Sequence, residues 1–256
     1  MKKTVLTVLS MAIMIIAFSQ SDKSDASNQG IVTYEEVVKF NIELDGMTLE
    51  MQEMLPKESR NDKVLYFNND ASLYTNTKEK DDSSFEQEME GGSMMVMIST
   101  PENIVYRDFK KNKMTEQKEF MTRIFLIESD FTDDDWKFTG NQKMILDYPC
   151  QEATKQDGDD KVTVWFTPAI QVSSGPDEFA NLPGLVLAVE ANDGDRTILA
   201  KSINMGNVDE KLLQKPKKGK KVSQEKYLAI VEEKNKEMGG EGGAGGGKTM
   251  IMTISQ

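Results

Sequence analysis

The chain has 256 residues, and its 43 acidic against 31 basic side chains give a formal net charge of −12. So acidic a protein is not expected to bind nucleic acid or anionic membranes. Histidine is absent and Cys150 is the only cysteine. This composition excludes Ser-His-Asp triads, Cys-His pairs, imidazole zinc sites and intramolecular disulfides, so an enzyme would need a carboxylate, Lys, Tyr or substrate-assisted mechanism.

Residues 1–19 have the three parts of a signal peptide. Two lysines precede an apolar core at residues 5–18, and small residues at the −3 and −1 positions predict cleavage after Ser19. The core of about 14 residues is shorter than the roughly 20 that a spanning helix needs. We therefore expect an exported protein of the periplasm, outer membrane or cell surface, with no transmembrane segment after cleavage.

A polar, non-periodic leader at residues 20–30 precedes the main domain, which we assign to residues 31–214. Residues 38–44 alternate apolar and polar side chains, which predicts a half-buried strand. Three methionines at helical spacing, Met47, Met51 and Met54, then predict a short helix.

Strand-like segments recur from residue 64 onward, separated by short polar turns. They are residues 64–67, 72–75, 94–99, 104–109, 120–128, 144–152, 161–167, 185–190 and 197–203. Many strands with short connections favour an antiparallel meander over βαβ units. The predicted fold is mainly β, an antiparallel curved sheet or open half-barrel with one or two short helices and a C-terminal helix.

A Pro-Gly pair at Pro183 and Gly184 predicts a sharp turn. Proline fixes its own φ for the second position of a β-turn, and glycine accepts positive φ at the third. The apolar residues that follow, beginning at Leu185, predict a strand buried on both faces. This is a structural device and contains no catalytic group.

The C-terminal part changes composition. Residues 215–238 combine a basic linker with a predicted helix, capped by Ser223 and presenting Tyr227, Leu228 and Val231 on one face. Residues 239–247 form a glycine-rich linker, and residues 248–256 a short β-prone tail. The glycines and the following Lys-Thr fit the phosphate-loop pattern, but a helix precedes them in place of a strand, so a linker is favoured.

Clustered methionines are the main candidate for a metal site. Met94, Met95 and Met97 could bind Cu(I), since thioethers are soft ligands. Methionine is also a common filler of irregular cores and adaptable surfaces. We favour packing, and we predict no cofactor.

Over about residues 31–205 the sequence resembles the GLPGLI family of exported Gram-negative envelope proteins, through a set of residues at defined spacing. Its members include Trp136, Tyr148, Cys150, Trp165, Gly175, Pro176, Leu182, Pro183, Gly184 and Leu185. Asn181 and Val186 depart from the naming motif, where the family has Gly and Ile, and asparagine tolerates the left-handed conformation. The resemblance implies export and a mostly-β domain, and it implies no active site.

We predict a non-catalytic envelope protein that binds an apolar ligand, a lipid moiety or a protein segment, accessory to outer-membrane uptake or secretion. The expected partner is an apolar small molecule or another envelope protein, and the oligomeric state stays open. Three alternatives remain: an assembly protein that pairs its tail with another sheet edge, a Cu(I)-binding protein, and a carboxylate-only hydrolase. Facing acids with shifted pKa values would mark the hydrolase.

Overall fold

The computed structural model describes residues 28–39, 53, 57–77, 83–89, 92–99, 102–131, 135–157, 160–240 and 248–253. The predicted signal peptide, most of the leader, the helix through Met47, Met51 and Met54, and residues 40–44 of the first predicted strand lie outside these ranges. In the described ranges, no helix combines the length and apolar character needed to cross a bilayer.

The fold is mainly β, as predicted. The strands are β1 (Gly30–Lys39), β2 (Glu58–Phe67), β3 (Ala71–Asn76), β4 (Ser83–Met89), β5 (Gly92–Ser99), β6 (Asn103–Asp108), β7 (Lys113–Phe120), β8 (Arg123–Asp130), β9 (Lys137–Ile145), β10 (Tyr148–Asp157), β11 (Asp160–Thr167), β12 (Leu185–Ala191), β13 (Arg196–Met205), β14 (Lys220–Val222) and β15 (Lys248–Thr253). The helix α1 spans Gln224–Gly240, and two 3₁₀ turns span Asn192–Gly194 and Glu210–Leu212.

Twelve strands form one open sheet in the order β14-β8-β7-β6-β3-β2-β1-β13-β12-β11-β10-β9. Neighbouring strands in this sheet are antiparallel, except that β14 runs parallel to β8. A second sheet has the order β15-β5-β4, and β15 pairs in parallel with β5. The tail therefore adds to a sheet edge of its own chain. The predicted open, mainly antiparallel sheet with a C-terminal helix is confirmed.

Two predicted strands are in fact hairpins. Residues 120–128 were predicted as one strand, but a turn at Met121 and Thr122 separates β7 from β8; residues 144–152 likewise contain a turn at Leu146 and Asp147. All four turn residues have positive φ, between 47° and 64°. Asn-Gly or Asp-Gly is usual in such turns, so the apolar Met and Leu concealed both hairpins.

The long connection between β11 and β12, residues 168–184, crosses the inner face of the sheet and is called the crossing segment. Its Ile170, Val172, Phe179 and Leu182 are buried in the main apolar core. This packing explains why the strand that follows, β12, is buried along almost its whole length, as the apolar run predicts.

The sheet curves around the crossing segment. Asn103 on β6 and Arg196 on β13 both contact the carboxylate of Asp177, although these strands are four positions apart in the sheet order. Four strand spacings in a flat sheet would be about 19 Å, which is too far for these two side chains to share one carboxylate. The inner face is therefore concave, and the crossing segment occupies it.

The outer face is covered in part by residues that follow β13. Leu73, Val208 and Leu213 form a second, smaller apolar cluster there. The helix α1 begins with the predicted cap, since Ser223 Oγ accepts the Lys226 N–H at 3.3 Å. Tyr227 packs edge-on to Phe125 with ring centroids 5.5 Å apart. Leu228, predicted on the same face as Tyr227, is instead 54% exposed.

Candidate functional site

The two tryptophans of the spaced motif make structural contacts. Trp136 Nε1–H donates to the carbonyl of Ala180 in the crossing segment at 3.0 Å. Lys155 Nζ lies 4.9 Å from the centroid of the Trp136 ring, and Lys143 Nζ lies 4.0 Å from that of Trp165. These are cation–π contacts between side chains at the β9-to-β11 end of the sheet.

Cys150 is fully buried at the start of β10. Its thiol donates weakly to the carbonyl of Tyr148 at 3.5 Å, and burial raises the pKa of the thiol to about 11. A buried thiol with a raised pKa is a poor nucleophile and packs as a small apolar side chain.

The glycines and prolines of the motif shape the crossing segment. The N–H of Gly184 donates to the carbonyl of Leu182 at 2.8 Å, so the bend is a three-residue turn centred on Pro183, not the four-residue turn we predicted. Leu185 begins β12 immediately afterwards. At Gly175, a Cβ atom would lie 2.3 Å from the carbonyl oxygen of Phe179, so glycine is required there by close approach.

Below the crossing segment lies a buried network of charges. Glu36 Oε1 accepts two bonds from Arg196, from Nε at 3.0 Å and from Nη2 at 2.8 Å. Glu36 Oε2 lies 3.3 Å from Nζ of the fully buried Lys63, which also donates to Asn76 at 2.7 Å. Paired in this way, ions can remain inside a protein.

Asp177 anchors the crossing segment to this network. Its Oδ1 accepts from Asn103 Nδ2 at 2.7 Å and its Oδ2 from Arg196 Nη2 at 2.5 Å, while its backbone carbonyl accepts from Arg107 Nη2 at 2.6 Å. Despite burial, the charges of Arg196 and Lys118 hold the pKa of Asp177 well below its usual range. Every oxygen of this residue is therefore bonded to the sheet.

Glu178 is the neighbouring half-buried acid, and its pKa moves in the opposite direction. Desolvation first, and then the charge of Asp177, raise the pKa of Glu178 to about 7. A protonated Glu178 donates to the Asp177 carboxylate. Split pKa values in an acid pair are a mark of acid–base catalysis, but both acids here sit in one turn under the sheet, with Asp177 fully committed to structural partners.

This pair predicts a pH dependence of stability. The Glu178 carboxyl has a pKa of 4.5 when unperturbed and about 7 in the fold. Between these values the native state binds more protons than the unfolded state, so the free energy of unfolding falls as the pH rises. We expect Glu178→Gln to flatten this decline and to raise the free energy of unfolding at pH 8 by on the order of 2 kcal/mol. Urea unfolding at pH 5, 6, 7 and 8 measures it.

The matched control is Glu190→Gln, since Glu190 is exposed on β12. It is expected to leave the pH profile unchanged. An unchanged slope in Glu178→Gln would show that another group titrates in this interval.

The copper candidates Met94, Met95 and Met97 lie in β5, whose backbone pairing is described but whose side chains lie outside the described part of the structure. In the part that is described, no three His, Cys, Asp or Glu side chains converge as metal ligands would. The Cu(I) hypothesis stays a prediction.

An open cleft lies at one end of the main sheet, with a volume of about 490 Å³. It is formed by the crossing segment and by three connections that are distant in sequence. These are the turn after β2, the turn between β6 and β7, and the residue after β8. We call it the amide cleft. Its lining residues are Asn68, Asn69, Phe109, Asn112, Phe131, Gln171, Val172, Ser173 and Asn181.

Hydrogen bonds from backbone N–H groups, accepted by a side chain or by a carbonyl, hold these loops in place. Asn68 Oδ1 accepts the N–H groups of Asp70 and Ala71 at 2.8 and 2.9 Å, and the Phe131 N–H donates to the carbonyl of Asn112 at 3.2 Å. Asn112 and Asn181 have φ of 55° and 62°, a conformation that asparagine adopts more readily than most residues. The cleft is therefore preformed.

The lining side chains offer one kind of chemistry. Five of them are primary amides, each with two donors and an acceptor oxygen, and none carries a charge. The rings of Phe109 and Phe131 lie edge-to-face with centroids 6.4 Å apart. Gln171 and Ser173 are exposed on either side of the buried Val172. Such a site suits a neutral ligand with many hydroxyl groups and an apolar ring face.

Sequence reasoning missed both the cleft and the acid pair. In the sequence, Asn68 and Asn69 fall in one of the short polar turns between predicted strands, and Asn181 stands out only as a departure from the GLPGLI motif. Asp177 and Glu178 lie between motif residues that were named, Pro176 among them. The available signal was the excess of amides in the turns, which becomes a pattern only when the sheet order is known.

Comparison with known proteins places the chain in a family. The model of the family described as "N-glycanase peptide, N-terminal domain" matches residues 55–228, which is more than half of the chain. The chain belongs to this family. No protein of curated function matches the sequence. The resemblance to the GLPGLI family stays a prediction.

Two solved structures share the fold of this chain. The structure of PNGF-II in space group P21 is 17% identical to this chain with a TM-score of 0.52. The match covers 80% of this chain and 33% of the PNGF-II chain. The structure of PNGF-II in space group C2 is 20% identical to this chain with a TM-score of 0.52. That match covers 79% of this chain and 32% of the PNGF-II chain. The chain thus spans about a third of the length of PNGF-II, and the likeness shows the fold alone.

Proposed function

We propose that this protein is an exported, non-catalytic binding protein whose ligand is a neutral carbohydrate held in the amide cleft. The observation that supports this proposal most directly is the lining of the cleft. It has five amides and a hydroxyl around two phenylalanine rings, and it includes no charged side chain. Its volume of about 490 Å³ is within the range of roughly 300–1,000 Å³ usual for small-molecule sites.

The chemistry of sugars matches this lining. A sugar hydroxyl both donates and accepts hydrogen bonds, and so does a primary amide, whereas a charged group would favour an ionic ligand. The apolar face of a sugar ring carries C–H groups that pack on the face of an aromatic ring. Phe109 and Phe131 supply such rings beside the amides.

Binding without catalysis is supported by the state of the acid pair. Asp177 is bonded through both carboxylate oxygens, and it is 1% exposed. It does not line the amide cleft, and neither does Glu178. Export is supported by the signal pattern in residues 1–19. The name of the family, which refers to an N-glycanase, supports a glycan as the ligand.

Calorimetric titration with a high-mannose N-glycan tests the proposal. Asn69→Ala removes one exposed amide and is expected to weaken binding about 5- to 10-fold, the equivalent of one lost hydrogen bond of about 1 kcal/mol. Phe131→Leu keeps an apolar side chain but removes the ring, and is expected to weaken binding by about the same factor. A sialylated N-glycan is expected to bind no more tightly than the neutral one, since none of the residues that line the cleft is positively charged.

Asn207→Ala is the matched control, because Asn207 is exposed and lies outside the cleft. It is expected to bind like the unmodified protein. Equal affinity in Asn69→Ala, Phe131→Leu and Asn207→Ala would place any glycan site elsewhere, and no binding of neutral glycans at millimolar concentration would refute the proposal.

A further inference from the structure

A second concave site lies on the outer face of the sheet, on the side opposite the crossing segment. It has a volume of about 640 Å³ and runs between the sheet and residues 211–218. We call it the lysine groove. None of its lining residues belongs to the amide cleft, so an inference from it is independent of the carbohydrate proposal.

The floor of the lysine groove is largely apolar. Tyr66 pairs with Leu73 across β2 and β3, and Thr75 and Ile104 continue the same surface toward β6. Residues that pair directly across antiparallel strands share one face of the sheet, so these side chains form one patch. Leu212, in the 3₁₀ turn, also lines the groove and is 41% exposed, so its side chain is available to a ligand.

The rim is basic. Lys211, Lys215, Lys217 and Lys218 line one side of the groove. Lys215 pairs with Glu128 on β8. The other three form no ion pair with any residue in the described ranges. In a chain with a net charge of −12, a cluster of cations beside an apolar floor is a local exception to the overall charge.

We infer that the lysine groove binds a fatty acid as its anion, with the alkyl chain on the floor and the carboxylate among the rim lysines. A partly buried apolar floor beside a rim of lysines, three of them without an ion pair in the described ranges, is complementary to a ligand with an apolar chain and a negative head. A neutral apolar molecule would use only the floor, and a soluble anion only the rim.

Titration of the purified protein with sodium dodecanoate below its micelle concentration tests the inference. We expect saturable binding with one site per chain, weakened by added salt because exposed charge pairs are screened. Lys217→Gln combined with Lys218→Gln is expected to reduce the affinity about 3- to 10-fold. Leu212→Ser is expected to reduce it about 5-fold through lost apolar contact.

The matched control is Lys220→Gln combined with Lys221→Gln, which removes the same charge from exposed lysines outside the groove. It is expected to change the affinity less than 2-fold. Equal losses in the two double variants would show that only the general charge matters, and would overturn the inference. Equal affinity for dodecyltrimethylammonium would also overturn it, and so would binding to anionic phospholipid vesicles with no binding of free dodecanoate.

Discussion

Replacing Asp177 by alanine is expected to lower the free energy of unfolding by about 3–5 kcal/mol, the usual result of removing one partner from a buried ion pair. The carboxylate binds Asn103 and Arg196 on two well-separated strands. Without it, Arg196 keeps its two hydrogen bonds to Glu36 but loses the Asp177 carboxylate, in a site with little access to water. The crossing segment would lose its main polar attachment to the concave face.

Two further variants separate the contributions to this loss. Asp177→Asn keeps the shape and is expected to cost less than alanine, because the amide oxygen can still accept one hydrogen bond. Arg196→Met combined with Asp177→Ala removes a buried cation together with its partner. Such a double replacement is expected to be less destabilising than the sum of the two single changes.

Asp130→Ala is the control for an exposed ion pair. Asp130 Oδ1 lies 2.5 Å from Lys113 Nζ, the same distance as in the buried pair, but both side chains are largely exposed. The expected loss is about 1 kcal/mol or less. Urea unfolding of all variants at pH 6 gives the comparison. A loss for Asp177→Ala no greater than for Asp130→Ala would show that the buried network contributes little to stability.

The positions of strands could be predicted from the sequence where apolar residues alternate with polar ones or form a continuous run. The segments at β3, β6, β11 and β13 alternate or run apolar, and their positions follow from the sequence within one or two residues. The hairpins at Met121 and Leu146 were concealed because their left-handed turn residues are not the usual ones. Local pattern therefore located most of the strands, while their order in the sheet came only from the structure.

The candidate sites were not predictable, for two physical reasons. The amide cleft assembles from Asn68, Asn112, Phe131 and Gln171, which the sheet order brings together across about a hundred residues of sequence. The buried network places a charged residue where an alternating strand normally has an apolar one. Glu36 shares the buried face of β1 with Val32 and Tyr34, although a charged residue in an alternating strand normally indicates the solvent face.

Replacing Gly184 by alanine is expected to lower the free energy of unfolding by about 3–5 kcal/mol, because backbone strain and overpacking add at one position. Its φ is +156°, and a Cβ atom would lie 2.2 Å from the carbonyl oxygen of Thr167 and 3.0 Å from Cα of Pro168. These are backbone atoms at the end of β11, so they cannot rotate away as a side chain would. Relief requires moving the turn away from β11.

Gly206→Ala is a control matched in backbone conformation. Gly206 has a φ of +151°, and no described atom lies within 4 Å of the position its Cβ would take. Its expected cost is therefore the strain alone, about 1–2 kcal/mol. The difference between the two variants in urea unfolding measures the close approach of the turn to β11.

The same pair of variants tests whether the turn at Pro183 is purely structural. Asn181 lies three residues before Gly184 and lines the amide cleft, so the turn would belong to the binding site if its displacement also moved this amide. We expect the glycan affinity of Gly184→Ala to fall only as far as its folded fraction falls. A Gly184→Ala protein that stays folded at 25 °C but loses glycan binding would instead make the turn part of the binding site, because the geometry of the cleft would then depend on the contact between Gly184 and β11.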